Sequence, residues 1–259
     1  NRCAGGALLH WWIGSVVSGA GLMRRRRVVS SLFDRSAFAG FEFPPEVILL
    51  AVRWYLRYGL SYRDVVELLA ERGIEVDHVT IYQWVQQSTP LLIDASRPCR
   101  HSVGGRWFVD ETYVKVSDKW RYLYRAVDQR GHVIDVYVSP RRNIAAARRF
   151  FTGALTAHGE PDKVVTDLAQ ALKTTIEQLI PNAFPNTEQY ANNRIECDHG
   201  RLKARLRPRR GLKRDRTASV GITGHALVQN IRRSHYELGT ETTPHLRLIE
   251  AVDEPAEVI

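Results

Sequence analysis

Three runs rich in β-branched and aromatic residues lie between residues 106 and 138, and the links between them are too short to hold a helix. They are RWFVDETYVKV (106–116), WRYLYRAV (120–127) and HVIDVYV (132–138). The last two are separated by a turn signal, Asp128-Gln129-Arg130-Gly131. Parallel neighbours need a crossover of a dozen or so residues, so these runs must pair as an antiparallel meander.

Beyond the meander, helices and strands alternate. A helix is expected over Ile144 to Phe151, a short strand over 163–166, and an amphipathic helix over 168–180 on Leu168, Leu172, Ile176 and Leu179. One more helix is expected over 193–206. This order fits an α/β (α+β) domain over 104–236, a ribonuclease H-like mixed sheet with flanking helices.

Before it lies an all-α stretch, 41–95. Pro44 and Pro45 open a helix that stops at Gly59. Ser61 caps a second, with Asp64 in the capping-box position, and Gly73 ends it. Asp77 caps a third, whose apolar face is Ile81, Trp84 and Val85. Helix, tight turn, helix is the layout of helix-turn-helix DNA readers. His78, Thr80, Tyr82 and Gln83 would then present the third helix's N-terminal end to base edges. Any three-helix bundle would show the same pattern.

Charge is uneven. The 259 residues carry 37 Lys and Arg against 28 Asp and Glu, a net charge of +9. Residues 194–216 hold ten Lys and Arg against three acids. That block raises the expectation of a polyanionic partner. Three cysteines without CxxC spacing point to a reducing cytoplasm and no zinc site. Residues 237–259 carry six acids against Arg247 and are expected to be an acidic tail. Residues 1–40 are expected to be an extension, disordered or non-native: residue 1 is Asn and the single Met is Met23. The apolar run 7–22 precedes Arg24–Arg27, the wrong order for a signal peptide, and makes a poor membrane span. No membrane association is expected.

Three carboxylates stand out. Asp110 sits mid-strand, where an acid is costly unless paired or metal-bound. Asp167 closes the fourth strand, where it could equally cap a helix. Glu196 falls three residues after Asn193, where it could equally complete a capping box. Together they could hold two Mg²⁺ ions, with Mn²⁺ as the alternative, for in-line phosphoryl transfer. Lys203, seven residues beyond Glu196, shares its helical face and could hold a phosphate beside the metals. Arg194, Arg201 and Arg205 lie on the same helix, as DNA-backbone contacts or as a solvated basic face.

The stretches ILLAVRWYLRYGLSYRDVVELLAERGIEVDHVTIYQWVQ, VDETYVKV with WRYLYRAVDQRG, and NNRIECDHGRLK resemble bacterial transposases of the insertion-sequence-six family, which are DDE-type enzymes. The resemblance covers residues 41–236. It implies a catalytic acid triad at Asp110, Asp167 and Glu196, with Lys203 as the downstream basic residue. It also implies binding of terminal inverted repeats and metal-dependent cleavage that frees a 3′-hydroxyl. That hydroxyl then attacks target DNA, replicatively, through cointegrates. The implied partners are double-stranded DNA at element ends and target, and further copies of the chain in a dimer or higher oligomer. The implied location is the bacterial cytoplasm, at the nucleoid. Two features depart from the pattern. Leu168-Ala169-Gln170 follows the second acid where Lys-Ala-Pro is usual. The Asp167–Glu196 interval, 28 residues, is about half a dozen shorter than usual, around 180–191, where a further strand is expected. A copy that binds DNA as a repressor without catalysis is the alternative reading.

Overall fold

A computed structural model describes residues 38, 40–166, 169–186, 193–207 and 212–258, with backbone alone at 184–186, 193–194 and 253–258. Residues 1–37, including the apolar run, and Asp167 lie outside the described residues.

The first three helices form where their caps demand. They are α1 (Pro45–Arg57), α2 (Tyr62–Ala70) and α3 (His78–Ser96). The Ser61 hydroxyl accepts from the Asp64 amide at 3.2 Å, and the Asp64 carboxylate accepts from the Ser61 amide at 2.8 Å. Asp77 accepts from the amides of Val79 and Thr80, which satisfies two of α3's orphan donors. Gly73 takes φ +73°, the left-handed turn that ends α2.

The meander comes next as β1 (Arg106–Val116), β2 (Lys119–Asp128) and β3 (Val133–Ser139). Then come α4 (Ile144–His158), β4 (Lys163–Thr166), α5 (Gln170–Leu179), β5 (Phe184–Asn186) and α6 (Asn193–Leu206). Two helices close the chain, α7 (Asp215–Arg232) and α8 (Arg247–Val258). The sheet order is β3-β2-β1-β4-β5. β1, β2 and β3 are antiparallel, and β4 and β5 run parallel to β1. This is the ribonuclease H-like arrangement. The shortened interval retains a fifth strand of three residues.

Alternation along β1 separates two faces. Trp107 and Val109 belong to a core with α4 and α5 residues, including Phe150, Phe151, Leu172 and Ile176. Val114 and Val116 belong to one with Leu202 of α6 and Ala218 and Ile222 of α7. The other end of α7 enters a third core. There Leu227, Val228 and Ile231 join Ile48, Val52, Leu69 and Trp84 of the first three helices. A Cβ at Gly224 would lie 2.6 Å from Leu56 Cδ2 and 2.7 Å from Thr89 Cγ2, so glycine permits the close approach of α7 to α1 and α3. α7 is thus one helix shared by both cores.

The acidic-tail expectation is corrected here. Residues 247–258 form α8, and Leu248, Ala251 and Val252 are buried in the core of the first three helices. Their i, i+3, i+4 spacing is a helical stripe that acidic composition conceals.

Two buried polar groups join these layers. Arg125 of β2, fully buried, donates from Nε to Asp198 of α6 at 2.5 Å and from its terminal amine to Gln229 of α7 at 3.1 Å. Gln229 donates in turn to the second Asp198 oxygen, and Arg233 stands 3.5 Å from it. Burial pushes the Asp198 carboxyl up. The opposing pull of Arg125, Gln229 and Arg233 is larger, and its pKa ends below the usual value. Arg100 is the second group. It donates to His132 at 2.9 Å and to the carbonyls of Val133 and Ile134, and it lies 3.1 Å from His158 Nε2. His132 stacks on His235 with centroids 4.5 Å apart. Burial first, and Arg100 second, push His132 down to about 2 and His158 down to about 4.

Asp198→Ala leaves Arg125 as an uncompensated buried charge and should cost about 3–5 kcal/mol. Arg125→Met with Asp198→Leu should recover most of it, and chemical denaturation of the set checks this. The histidines predict acid lability. Their folded pKa values lie below the ordinary 6.5, so the unfolded chain binds more protons below that pH and stability falls with pH. The loss should run from about pH 6.5 through 4 for His158 and onward to 2 for His132. Thermal melts across this range should show a shallower slope in His158→Gln. That comparison separates the histidine from Asp135, whose carboxyl burial raises.

Candidate functional site

The site is built on β1 and α6. Asp110 faces the α6 side of the sheet, as alternation requires. Its cross-strand partner is Arg125. That guanidinium is committed to Asp198, leaving Asp110 to other partners. Asp110 Oδ1 accepts from the Glu111 amide at 2.7 Å, and Oδ2 lies 3.4 Å from Nδ1 of buried His199. Glu111 points to the opposite face and pairs with Arg142. Asp128 caps its own turn by accepting from the amides of Arg130 and His132.

α6 carries the other side chains. Glu196, His199 and Lys203 are spaced three and four apart and form one stripe on its surface. His199 of that stripe meets Asp110, and Lys203 Nζ lies 5.0 Å from the Tyr113 ring centroid. Helix and strand therefore advance together, and Glu196, exposed in the first turn of α6, lies on the β4 side of His199. Its neighbour Ile195 is buried in a cluster with Phe108 and Val165. These precede Asp110 and Asp167 by two residues each. β4 ends at Thr166, whose partner is Val109, one residue before Asp110. Asp110, the end of β4 and the first turn of α6 thus come together at one place.

Asp167, the second expected acid, lies outside the described residues, and so does the side chain of Arg194. Among the described residues no three His, Cys, Asp or Glu side chains are grouped to hold an ion. The donors that are described suit a hard cation. Asp110 and Glu196 offer carboxylate oxygens, and no described guanidinium pairs with Asp110. His199 Nε2 is buried with no hydrogen-bond partner among the described residues. His199 is not among the residues that the sequence singles out. Its place three residues after Glu196 is the one local signal for it.

The expected DNA contacts divide. His78 and Gln83 are exposed at the start of α3. Tyr82 packs edge-on against Tyr62, and the Thr80 hydroxyl donates to Asp77. A groove of about 680 Å³ runs past this end of α3, lined by Tyr62, Arg63, His78 and Tyr82 on one side and Lys213 and Arg214 on the other. Arg201 is exposed and Arg205 half-buried. Burial, Arg232 and Arg205 together lower the pKa of Arg57. Arg57 thus stands near like charges from two other helices. The approach of Arg57 to Arg205 is not legible in the sequence, because α1 is far from α6 along the chain. No described helix is long and apolar enough to cross a membrane.

Comparison with known proteins agrees with this architecture. A family model described as a DDE domain matches residues 104–235. The chain is 38% identical over 200 residues to the Staphylococcus aureus transposase for the insertion sequence-like element IS431mec, covering 74% of this chain and 89% of that protein. It is equally similar, over the same shares, to the Staphylococcus aureus transposase for insertion sequence element IS257 in transposon Tn4003. The human T-lymphotropic virus 2 integrase catalytic core solved with magnesium is a distant likeness, at 17% identity and a TM-score of 0.38 over 51% of this chain and 88% of that one. The family match and the long alignment agree with the sheet order and with the motifs around Asp110 and Glu196: the chain belongs to the insertion-sequence-six family of DDE transposases.

Proposed function

We propose that this transposase binds the terminal inverted repeats of its element and joins their 3′ ends to target DNA by a replicative route that yields cointegrates. The observation that carries the reading is the facing of Asp110 and the Glu196–His199–Lys203 stripe where β4 ends. Asp110, Asp167 and Glu196 would hold the divalent ions, Mg²⁺ or Mn²⁺. Bound there, such ions supply Lewis acidity to the attacking and leaving oxygens. His199 holds the Asp110 carboxylate in place, and Lys203 offers a cation to the scissile phosphate.

Cleavage consumes one water and leaves a 3′-hydroxyl and a 5′-phosphate. Transfer then exchanges one phosphodiester for another, so no outside energy source is required. The α2–α3 unit supplies base readout through His78 and Gln83, and Arg201 and Arg205 contact backbone. Two ends must be held at once, which favours a dimer or larger assembly, acting on DNA in the cytoplasm.

Strand transfer of an inverted-repeat end with Mg²⁺ tests this directly. Asp110→Asn and Glu196→Gln should each lower it by about a hundredfold or more, with duplex binding retained. Full activity in Asp110→Asn would overturn the assignment. Repeat-specific binding with no cleavage in the wild type would favour the repressor reading, which the shortened Asp167–Glu196 interval motivates. Gln83→Ala should weaken binding to the repeat relative to random DNA by roughly tenfold, as competition binding would show.

A further inference from the structure

The β1–β2 hairpin ends in two exposed rings. β1 and β2 are joined by Ser117 and Asp118, both at positive φ, a tight two-residue turn. On the face that α4 covers further along the sheet, the hairpin end carries Tyr113 and Trp120. They are 56% and 58% exposed and meet edge-to-face at 5.1 Å. A cross-strand aromatic pair can simply stabilise a hairpin. That role does not account for the cation reaching it from another element. Lys203 comes from α6, on the other side of the sheet, to within 5.0 Å of the Tyr113 centroid. It does so past the stretch of β1 between the end of its pairing with β4 at Val109 and its bridge to Leu212 at Val116. Exposed Lys115 shares the rings' face and pairs with Asp118 of the turn at 3.0 Å.

Two solvent-facing rings met by the Lys203 ammonium group fit a nucleic acid. The rings also specify which part of it. Inside a paired duplex the base faces are already stacked, so there an aromatic side chain gains stacking only from a base that has left its pair. The location is near: Tyr113 is three residues along β1 from Asp110, roughly 10 Å at ~3.3 Å per residue, on the opposite face of the sheet, and Lys203 links the two faces round the strand edge. Lys203 belongs to the same stripe as Glu196.

We propose that Tyr113 and Trp120 form a stacking platform for one unpaired nucleobase of the DNA held at the Asp110 site. The proposal rests on the DNA strand-transfer reading and adds to it a binding surface for an opened end. Lys203 then has two contacts, the Tyr113 ring and the neighbouring phosphate.

The test uses the full chain without metal and a short duplex of arbitrary sequence, either fully paired or ending in an unpaired fork that contains 2-aminopurine. The wild type should bind the fork about tenfold more tightly than the paired duplex and quench the 2-aminopurine emission. Trp120→Ala and Tyr113→Ala should each remove most of that preference and leave paired-duplex binding unchanged. Trp120→Phe should keep it. Both side chains are exposed, and circular dichroism confirms that the variants fold. Equal affinity for forked and paired DNA in the wild type, or a fork preference that survives both alanine substitutions, would overturn the platform. A failure of the strand-transfer reading looks different, as fork preference in a protein that never joins ends.

Discussion

The buried pair of Arg125 and Asp198 decides how α6 sits. A helix laid on a sheet can be rotated about its axis at little cost while its contacts are apolar. A carboxylate that must reach one guanidinium removes that freedom. With Asp198 turned toward β2 and α7, the residue after it, His199, faces Asp110, and Glu196 and Lys203 line up with it. Arg125 is also the cross-strand partner of Asp110. The same bond that orients the helix therefore commits the cross-strand guanidinium to Asp198 and not to the acid. Apolar residues could pack this site as stably. What the charges add is one rotation of α6 among several.

α7 carries this order to the rest of the molecule. One end packs under β1 and α6, and the other is surrounded by α1, α3 and α8. Gln229 on α7 completes the Asp198 network, and Gly224 lets α1 and α3 approach closely. The helices expected to read DNA and the strand expected to cut it therefore share a structural member. The groove between the start of α3 and Lys213 and Arg214 is a consequence of that sharing.

Much of this is legible in local signals. The Ser61–Asp64 box, the Asp77 cap and the left-handed Gly73 are enough to place α2 and α3. Alternation puts Asp110 and Glu111 on opposite faces of β1, where one meets His199 and the other Arg142. α7 escapes such reading, because a helix buried on nearly every side shows no single apolar stripe. α8 looks like a tail because acids interrupt its stripe of Leu248, Ala251 and Val252. Arg125 gives no local sign, and His199 only its spacing from Glu196, because each acquires meaning from a partner distant in the chain.

By itself the sequence determined the elements up to α6, their order and the family, since caps, turns and alternation act over a few residues and long motifs are specific. It also singled out Asp110, Asp167, Glu196 and Lys203. Only the tertiary structure decided which face of α6 meets β1, which arginine is withdrawn from the acid, and that Lys203 rests on an exposed tyrosine. Those outcomes depend on removing charges from water between segments up to about a hundred residues apart, as with Arg125 and Gln229, and no local pattern in the chain records that.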